Sequence, residues 1–328
     1  MAYQTGVATS QQDVVTQFVN FAVANGWTQN ELDTVNRRAV ISRGTVFMGF
    51  RWSAAASGGV IGLYQSTGYT SGNNVGQHPG DSGRGQVTTG AVTLERRLTS
   101  IGDGPYTALT LFSQSTDSPY IHAVLEYSPG LFRHFGCGTI EKIGTWTGGE
   151  YVVHTQWANG FGGAATNNFL WDSRSGQSTT AQGDEKSTMR VSGMPNQSGG
   201  MTWAVFSQSS SFLNPDTAGN NVINLRGGAT GFDNTETAFA FPRASPNAGY
   251  VPMFKIPIHW ANTTPTPNQV MLLGYAPDVR IMQMANFTPG QEFTVGSDTW
   301  KVFPMIRKQV GGSGDRSENA GVAYKKIV

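Results

Sequence analysis

Residues 119–138 read PYIHAVLEYSPGLFRHFGCG, and the fold turns on how this stretch is read. It carries two histidines, a glutamate, an arginine and the chain's only cysteine, Cys137. A third histidine, His154, follows in EYVVHTQW (150–157). Ser-Pro-Gly at 128–130 is turn material, because Pro presets φ and Gly accepts positive φ. A turn there pairs 120–127 with 131–138. Strand side chains alternate between faces, so His122, Val124 and Glu126 share one face with Phe132 and His134. The opposite face carries Ile121, Leu125, Tyr127, Leu131 and Phe135. His122 and His134 then lie diagonally near each other. A mononuclear zinc or iron site needs three or more protein ligands. Only His154, Glu126 or Cys137 could complete one, and nothing in the spacing fixes their approach. The stretch is therefore expected to be a hairpin with a hydrogen-bonded histidine pair on a half-buried sheet. A metal site on His122, His134 and His154 is the lesser alternative, with a symmetry axis as another way to gather ligands. No cofactor is expected.

The same strand grammar runs through most of the chain. From about residue 39, short runs rich in β-branched and aromatic residues alternate with Gly, Pro, Asn and Ser, as in AVISRGTVFMGFRWSA (39–54), PYTALTLFSQST (105–116), MTWAVFSQSS (201–210), TAFAFPRA (237–244) and VPMFKIPIHW (251–260). That is the strand signature. Many short strands at close spacing predict a mainly β chain of sandwich or barrel type. Before them, SQQDVVTQFVNFAVANGWTQ (10–29) spaces Val14, Val15, Phe18, Phe21, Ala22 and Trp27 as a helix would. Ser10 or Asp13 caps its start and Gly26 stops it. A second short helix is expected over QNELDTVNRRA (29–39). Near the end, Phe293 and Val295 lead into a Gly-Ser-Asp turn from which Trp300, Val302 and Phe303 return, and AGVAYKKIV (320–328) is a last strand. Polar Gly-rich stretches at 65–90 and 158–200 are expected to be long loops, ordered by neighbours in an assembly. The organisation expected is a helical segment (1–38), a β-rich domain (39–175) and a second β-rich part (176–328), with a single domain as the alternative.

Charged residues are 13% of the chain and Gly is 42 of 328 residues, against roughly 25% and 7% in ordinary globular chains. The formal net charge is +1. Such a surface hydrogen-bonds well and repels copies of itself poorly, which points towards assembly. There is no basic block, so specific nucleic acid is not an expected partner. A single cysteine excludes an internal disulfide and any multi-cysteine metal cluster. No stretch approaches 18 apolar residues, so no membrane span is expected. The opening MAYQTGVATSQQDVV lacks the pattern of a secretory signal.

Other catalytic patterns are weaker. GQHPGDSG (76–83) contains the Gly-Asp-Ser-Gly string of serine proteases around Ser82. A triad needs a histidine base and an orienting aspartate, and His78 is the only upstream histidine. Glu126, Glu141, Glu150 and Asp172 are carboxylates of the type glycoside hydrolysis uses, but no spacing singles out a pair. Trp146, Trp157 and Trp171 could stack on sugars or anchor an interface, and the interface role is the better supported by the usual use of tryptophan. Phosphate-binding loops are absent.

Several phrases together resemble virion proteins of tailed bacteriophages. They are the helical opening ending in NGWT (25–28), MGFRW (48–52), IGLYQSTGY (61–69), GQHPGDSG (76–83), YIHAVLEYSPGLFRHFGCG (120–138), TWTGGEYVVHTQW (145–157), TVGSDTWKVFPMIRK (294–308) and GVAYKK (321–326). The likeness spans most of the chain and is densest between 45 and 160. It implies a structural part of the particle, in the neck or collar, tail or baseplate. Such a subunit is made in the host bacterial cytoplasm and assembles with itself and with other virion proteins. The resemblance brings no catalytic residues. The alternatives are a Trp-rich module contacting receptor carbohydrate, and a hydrolase of cell wall or polysaccharide.

Overall fold

The structure, a computed structural model, describes residues 2–53, 59–80, 97–98, 101–114, 118–158, 166–168, 189–192, 252–262, 269–284, 286–305, 308 and 320–327. The first elements are β1 (Tyr3–Ala8), α1 (Gln11–Ala24), β2 (Thr28–Asp33), β3 (Arg38–Arg43), β4 (Val46–Trp52), β5 (Ile61–Ser66) and β6 (Arg97–Leu98). Then come β7 (Tyr106–Gln114), β8 (Tyr120–Ser128), β9 (Leu131–Thr139), β10 (Glu141–Lys142), β11 (Glu150–His154), β12 (Gln156–Ala158), β13 (Thr166–Asn168) and β14 (Met189–Val191). The last are β15 (Phe254–Asn262), β16 (Gln269–Gln283), β17 (Glu292–Val295), β18 (Asp298–Pro304) and β19 (Ala320–Lys326).

The chain is mainly β, as its alternation predicts. Among the described residues three antiparallel sheets dominate, and none closes into a barrel. The first is the meander β2-β3-β4-β5-β6. The central sheet has the order β1-β7-β8-β9-β11-β14, and the C-terminal sheet β10-β16-β19-β18-β17, with β15 also on β16. β12 and β13 form a separate pair. The expected hairpins form: Val124 faces His134 and Glu126 faces Phe132 in β8–β9, while in β17–β18 Asp298, expected in the turn, opens β18 opposite Val295. The runs at 201–210 and 237–244 lie outside the described residues.

The central sheet is buried on both faces, where only one was expected to form a core. Ile121, Ala123, Leu125, Phe135 and Val152 pack with Val14, Val15 and Phe18 of α1 and with Ile41, Met48, Phe50 and Leu63 of the first sheet. We call this the first core. From the opposite face, Phe112, Tyr120, Val124, Phe132, Tyr151 and Val153 pack with Ile258, Val279, Phe303, Val322 and Tyr324 of the C-terminal sheet. This is the second core. The helix thus shares a core with β8, β9 and β11, and β14 extends the same sheet beyond β11.

Helix α1 starts where Ser10 Oγ accepts the Asp13 N–H at 3.2 Å and Asp13 Oδ2 accepts the Thr9 N–H at 2.8 Å. These bonds satisfy donors that the first turn leaves open. It stops at Gly26, whose φ is +82°. The second expected helix does not form. Asp33 Oδ1 accepts the N–H groups of Val35 and Asn36 at 3.0 and 2.9 Å, and Arg37 takes φ 55°. An Asp that bonds forward to the backbone favours a turn over a helix. The segment becomes the β2–β3 hairpin, tied by Arg38 and Glu31 at 2.8 Å. Part of the Gly-rich 65–90 stretch is also packed on its own sheet. The Thr67 N–H donates to Pro79 O at 2.8 Å, and the loop between them places Val75 on Val40 and Tyr64.

Phe18 is fully buried, with ring centroids 5.0 Å from Phe50 and 5.3 Å from Phe135. It joins helix, first sheet and central sheet. Phe18→Ala is expected to cost about 3–5 kcal/mol, read as a lowered urea midpoint with an unchanged slope.

Candidate functional site

Of the residues singled out by their chemistry, His122 and His134 meet between the central and C-terminal sheets, in a buried layer of histidine and tyrosine. His122 of β8 stands opposite Gly136 of β9. A Cβ at Gly136 would lie 2.3 Å from His122 Cδ2, so glycine there makes room for the imidazole. His122 Nε2 is 2.6 Å from the Tyr151 hydroxyl. His134 donates its backbone N–H to Thr155 Oγ1 at 2.8 Å. Its Nε2 is 2.9 Å from Pro304 O, and its Nδ1 is 2.8 Å from the Tyr324 hydroxyl. A carbonyl oxygen only accepts, so Nε2 carries the proton and Nδ1 accepts from Tyr324. That is a neutral imidazole with both nitrogens used.

The rings pack as tightly as they hydrogen-bond. Tyr324 stacks on His134 at 5.8 Å, meets His122 edge-on at 5.7 Å and stacks on Phe112 at 4.9 Å. Tyr120 lies 4.9 Å from His122, and its hydroxyl donates to Asp278 Oδ2 at 3.4 Å. Burial, with a smaller push from His134, lowers the His122 pKa to about 3. Burial lowers His134 to about 4, against the opposing effect of the Pro304 carbonyl. Burial also drives the Tyr120, Tyr151 and Tyr324 hydroxyls well above their ordinary value. The layer is uncharged at neutral pH, which suits groups enclosed on every side.

The three histidines are not brought together. His154 stands opposite Phe135, and Phe135 belongs to the first core. His154 therefore faces the other side of the sheet from His122 and His134. Cys137, opposite Val152, faces that first core too, and burial holds its thiol in the protonated form. Among the described residues, no group of three or more His, Cys, Asp and Glu side chains is arranged to hold a metal ion.

Each described carboxylate candidate ties framework together. Glu126 Oε1 accepts the Gly130 N–H at 2.8 Å and closes the β8–β9 turn. Glu141 pairs with Lys255 at 2.9 Å. Glu150 accepts the hydroxyls of Thr45 and Ser192, while its main-chain carbonyl accepts Gln65 Nε2 at 2.8 Å. It thereby joins β11 to the first sheet and to the residue after β14. His78 is buried in the 67–79 loop, where Nδ1 accepts the Thr70 N–H at 3.3 Å. Trp146 packs against the second core beneath Lys142, whose Nζ is 5.3 Å from the ring and donates to Trp146 O and Gly148 O. Trp157 sits in β12 opposite Asn167. Ser82, Trp171 and Asp172 lie outside the described residues.

Sequence reasoning missed Arg133, which is only 1% exposed. Its guanidinium lies 4.7 Å from the Tyr127 ring centroid and donates to Phe132 O at 3.1 Å. Burial lowers its pKa and Tyr127 opposes that shift. Arg133 stands opposite Leu125, on the face that packs on the first core. No protein-family model matches the chain, and no curated protein matches it.

The two lowered histidine pKa values fix a pH dependence. An unfolded histidine takes up its proton near pH 6.5, whereas the folded rings resist until about pH 4 and about pH 3. The contribution is whole above pH 6.5 and falls as pH drops towards the folded values, by about 1.4 kcal/mol per pH unit for each histidine. Urea unfolding at pH 7.5, 6.5, 5.5 and 4.5 is expected to show this fall. His122→Gln, which keeps a hydrogen-bonding partner for Tyr151 and cannot titrate, is expected to lower the slope by about one histidine's share.

Proposed function

We infer that the chain is a non-enzymatic structural subunit of a tailed-phage particle. It forms a symmetric ring or collar at the head-to-tail neck, or around the tail or baseplate, and works through contacts with itself and with other virion proteins. Nucleic acid and cofactors have no part in this reading. The observation that carries it is where the phage-like phrases fall. MGFRW is β4 without its first two residues, IGLYQSTGY is β5 and the start of its covering loop, and YIHAVLEYSPGLFRHFGCG is the β8–β9 hairpin. TWTGGEYVVHTQW contains β11, TVGSDTWKVFPMIRK contains β18, and GVAYKK lies in β19. The likeness thus coincides with the stacked framework and with the residues that cross between its layers. Two further facts support the reading. His122, His134, Glu126 and Glu141, groups that chemistry would need, are engaged in holding that framework. The charge-poor composition lets copies approach one another. Trp146, committed to its own loop by Lys142, counts against a sugar platform at that position.

Electron microscopy of particles carrying a label on this chain tests the reading. A ring of label at the neck, tail or baseplate is expected. A chain that is strictly monomeric and absent from particles would overturn it.

A further inference from the structure

Strand β1 is fastened to the molecule differently from the other strands of the central sheet. Among the described residues it is an edge strand paired with β7 alone, from Tyr3 opposite Phe112 to Ala8 opposite Tyr106, with an irregularity between Gly6 and Ala8. Gln4, Thr5, Gly6 and Val7 are all exposed, Val7 at 66%. Only its two ends reach the cores. Ala8 is fully buried, and Tyr3 packs against the second core. Tyr3 is held there by a charged latch. Lys301 Nζ lies 5.4 Å and Lys326 Nζ 4.8 Å from its ring centroid, and Lys301 donates to its hydroxyl at 2.9 Å. The Glu292 carboxylate bridges both lysines. The link to α1 is Thr9 and Ser10 alone, and Ser10 is already extended at φ −161° and ψ 172°.

We propose that β1 is an exchangeable strand, and that the slot along β7 receives residues Tyr3–Ala8 of a second copy of this chain. The proposal rests on the reading of the chain as an oligomer subunit and names how the copies are joined. A second copy is the fitting occupant because its β1 reproduces every rung the slot already makes, at little net cost once the link is straightened. An emptied β7 edge would expose unpaired backbone groups, which drives strand addition. A link this short favours exchange between copies over a strand that folds back on its own chain in a new place. The latch sets the rate, since the two cation–π contacts and the Lys301–Tyr3 hydrogen bond must break before β1 leaves.

Thr5 and Thr110 face each other across the slot with hydroxyls 3.4 Å apart. In the full chain carrying Thr5→Cys and Thr110→Cys, oxidation links β1 to whichever β7 holds it, while native Cys137 stays buried. The oligomer fraction is expected to yield covalent dimers and larger species on a non-reducing gel. Oligomers whose chains are all bridged internally would overturn the exchange and leave the subunit reading standing. A chain that never assembles would overturn both. A second measurement uses a fluorescent peptide matching residues 2–10 and the unmodified chain. The peptide is expected to become incorporated, about tenfold faster with Tyr3→Ala. No incorporation into either chain would overturn the proposal.

Discussion

His134 makes the bond set on which the stacked arrangement depends. Its backbone N–H goes to Thr155, just after β11, and its ring spans the gap to Pro304 of β18 and Tyr324 of β19. One side chain thus joins the central sheet to two strands of a sheet built from the far end of the chain. Both ring nitrogens are used, and the neutral form is the one that satisfies a carbonyl on one side and a hydroxyl on the other. A charged imidazole would reverse the Tyr324 bond and leave the tyrosine hydroxyl proton in need of another acceptor inside a closed layer, where an unpaired polar group is costly. The same enclosure that makes the histidine look chemical in the sequence makes it a structural tie in the fold.

The polar residues around it follow the same rule. Tyr151 serves His122, Tyr120 reaches Asp278 across the two sheets, and Glu150 collects two hydroxyls on the far side of the central sheet. Directional bonds at a few fixed heights restrict the packed sheets to one register. A chain with few charges and many glycines has few ion pairs for this purpose, and it uses neutral hydrogen bonds in their place.

Much of this was legible in the residues. The β8–β9 register follows from Ser-Pro-Gly and the alternation around it, and α1 from the spacing of Val14, Phe18 and Phe21 with a serine before them. What failed depended on partners distant in the chain. Residues 29–39 carry acidic groups suited to a helix start, yet Asp33 bonds forward into a turn, and Leu32 and Ala39 complete the first core as strand neighbours. His154 and His134 look like members of one group because they lie close in sequence. Their opposite facing needs the β9–β11 register, which no local signal sets. Arg133 falls on a face that alternation identifies, but its burial comes from the layer above, which local sequence does not reveal.

The central claim is that His122 and His134 are neutral, enclosed and structural. Nuclear magnetic resonance of the ring nitrogens as pH is lowered from 8 towards 5 tests it most directly. The account predicts that His134 holds its proton on Nε2 throughout, and that neither ring titrates in that range. A midpoint near 6.5 for either ring would contradict the account, as would ring signals that shift on adding zinc at neutral pH.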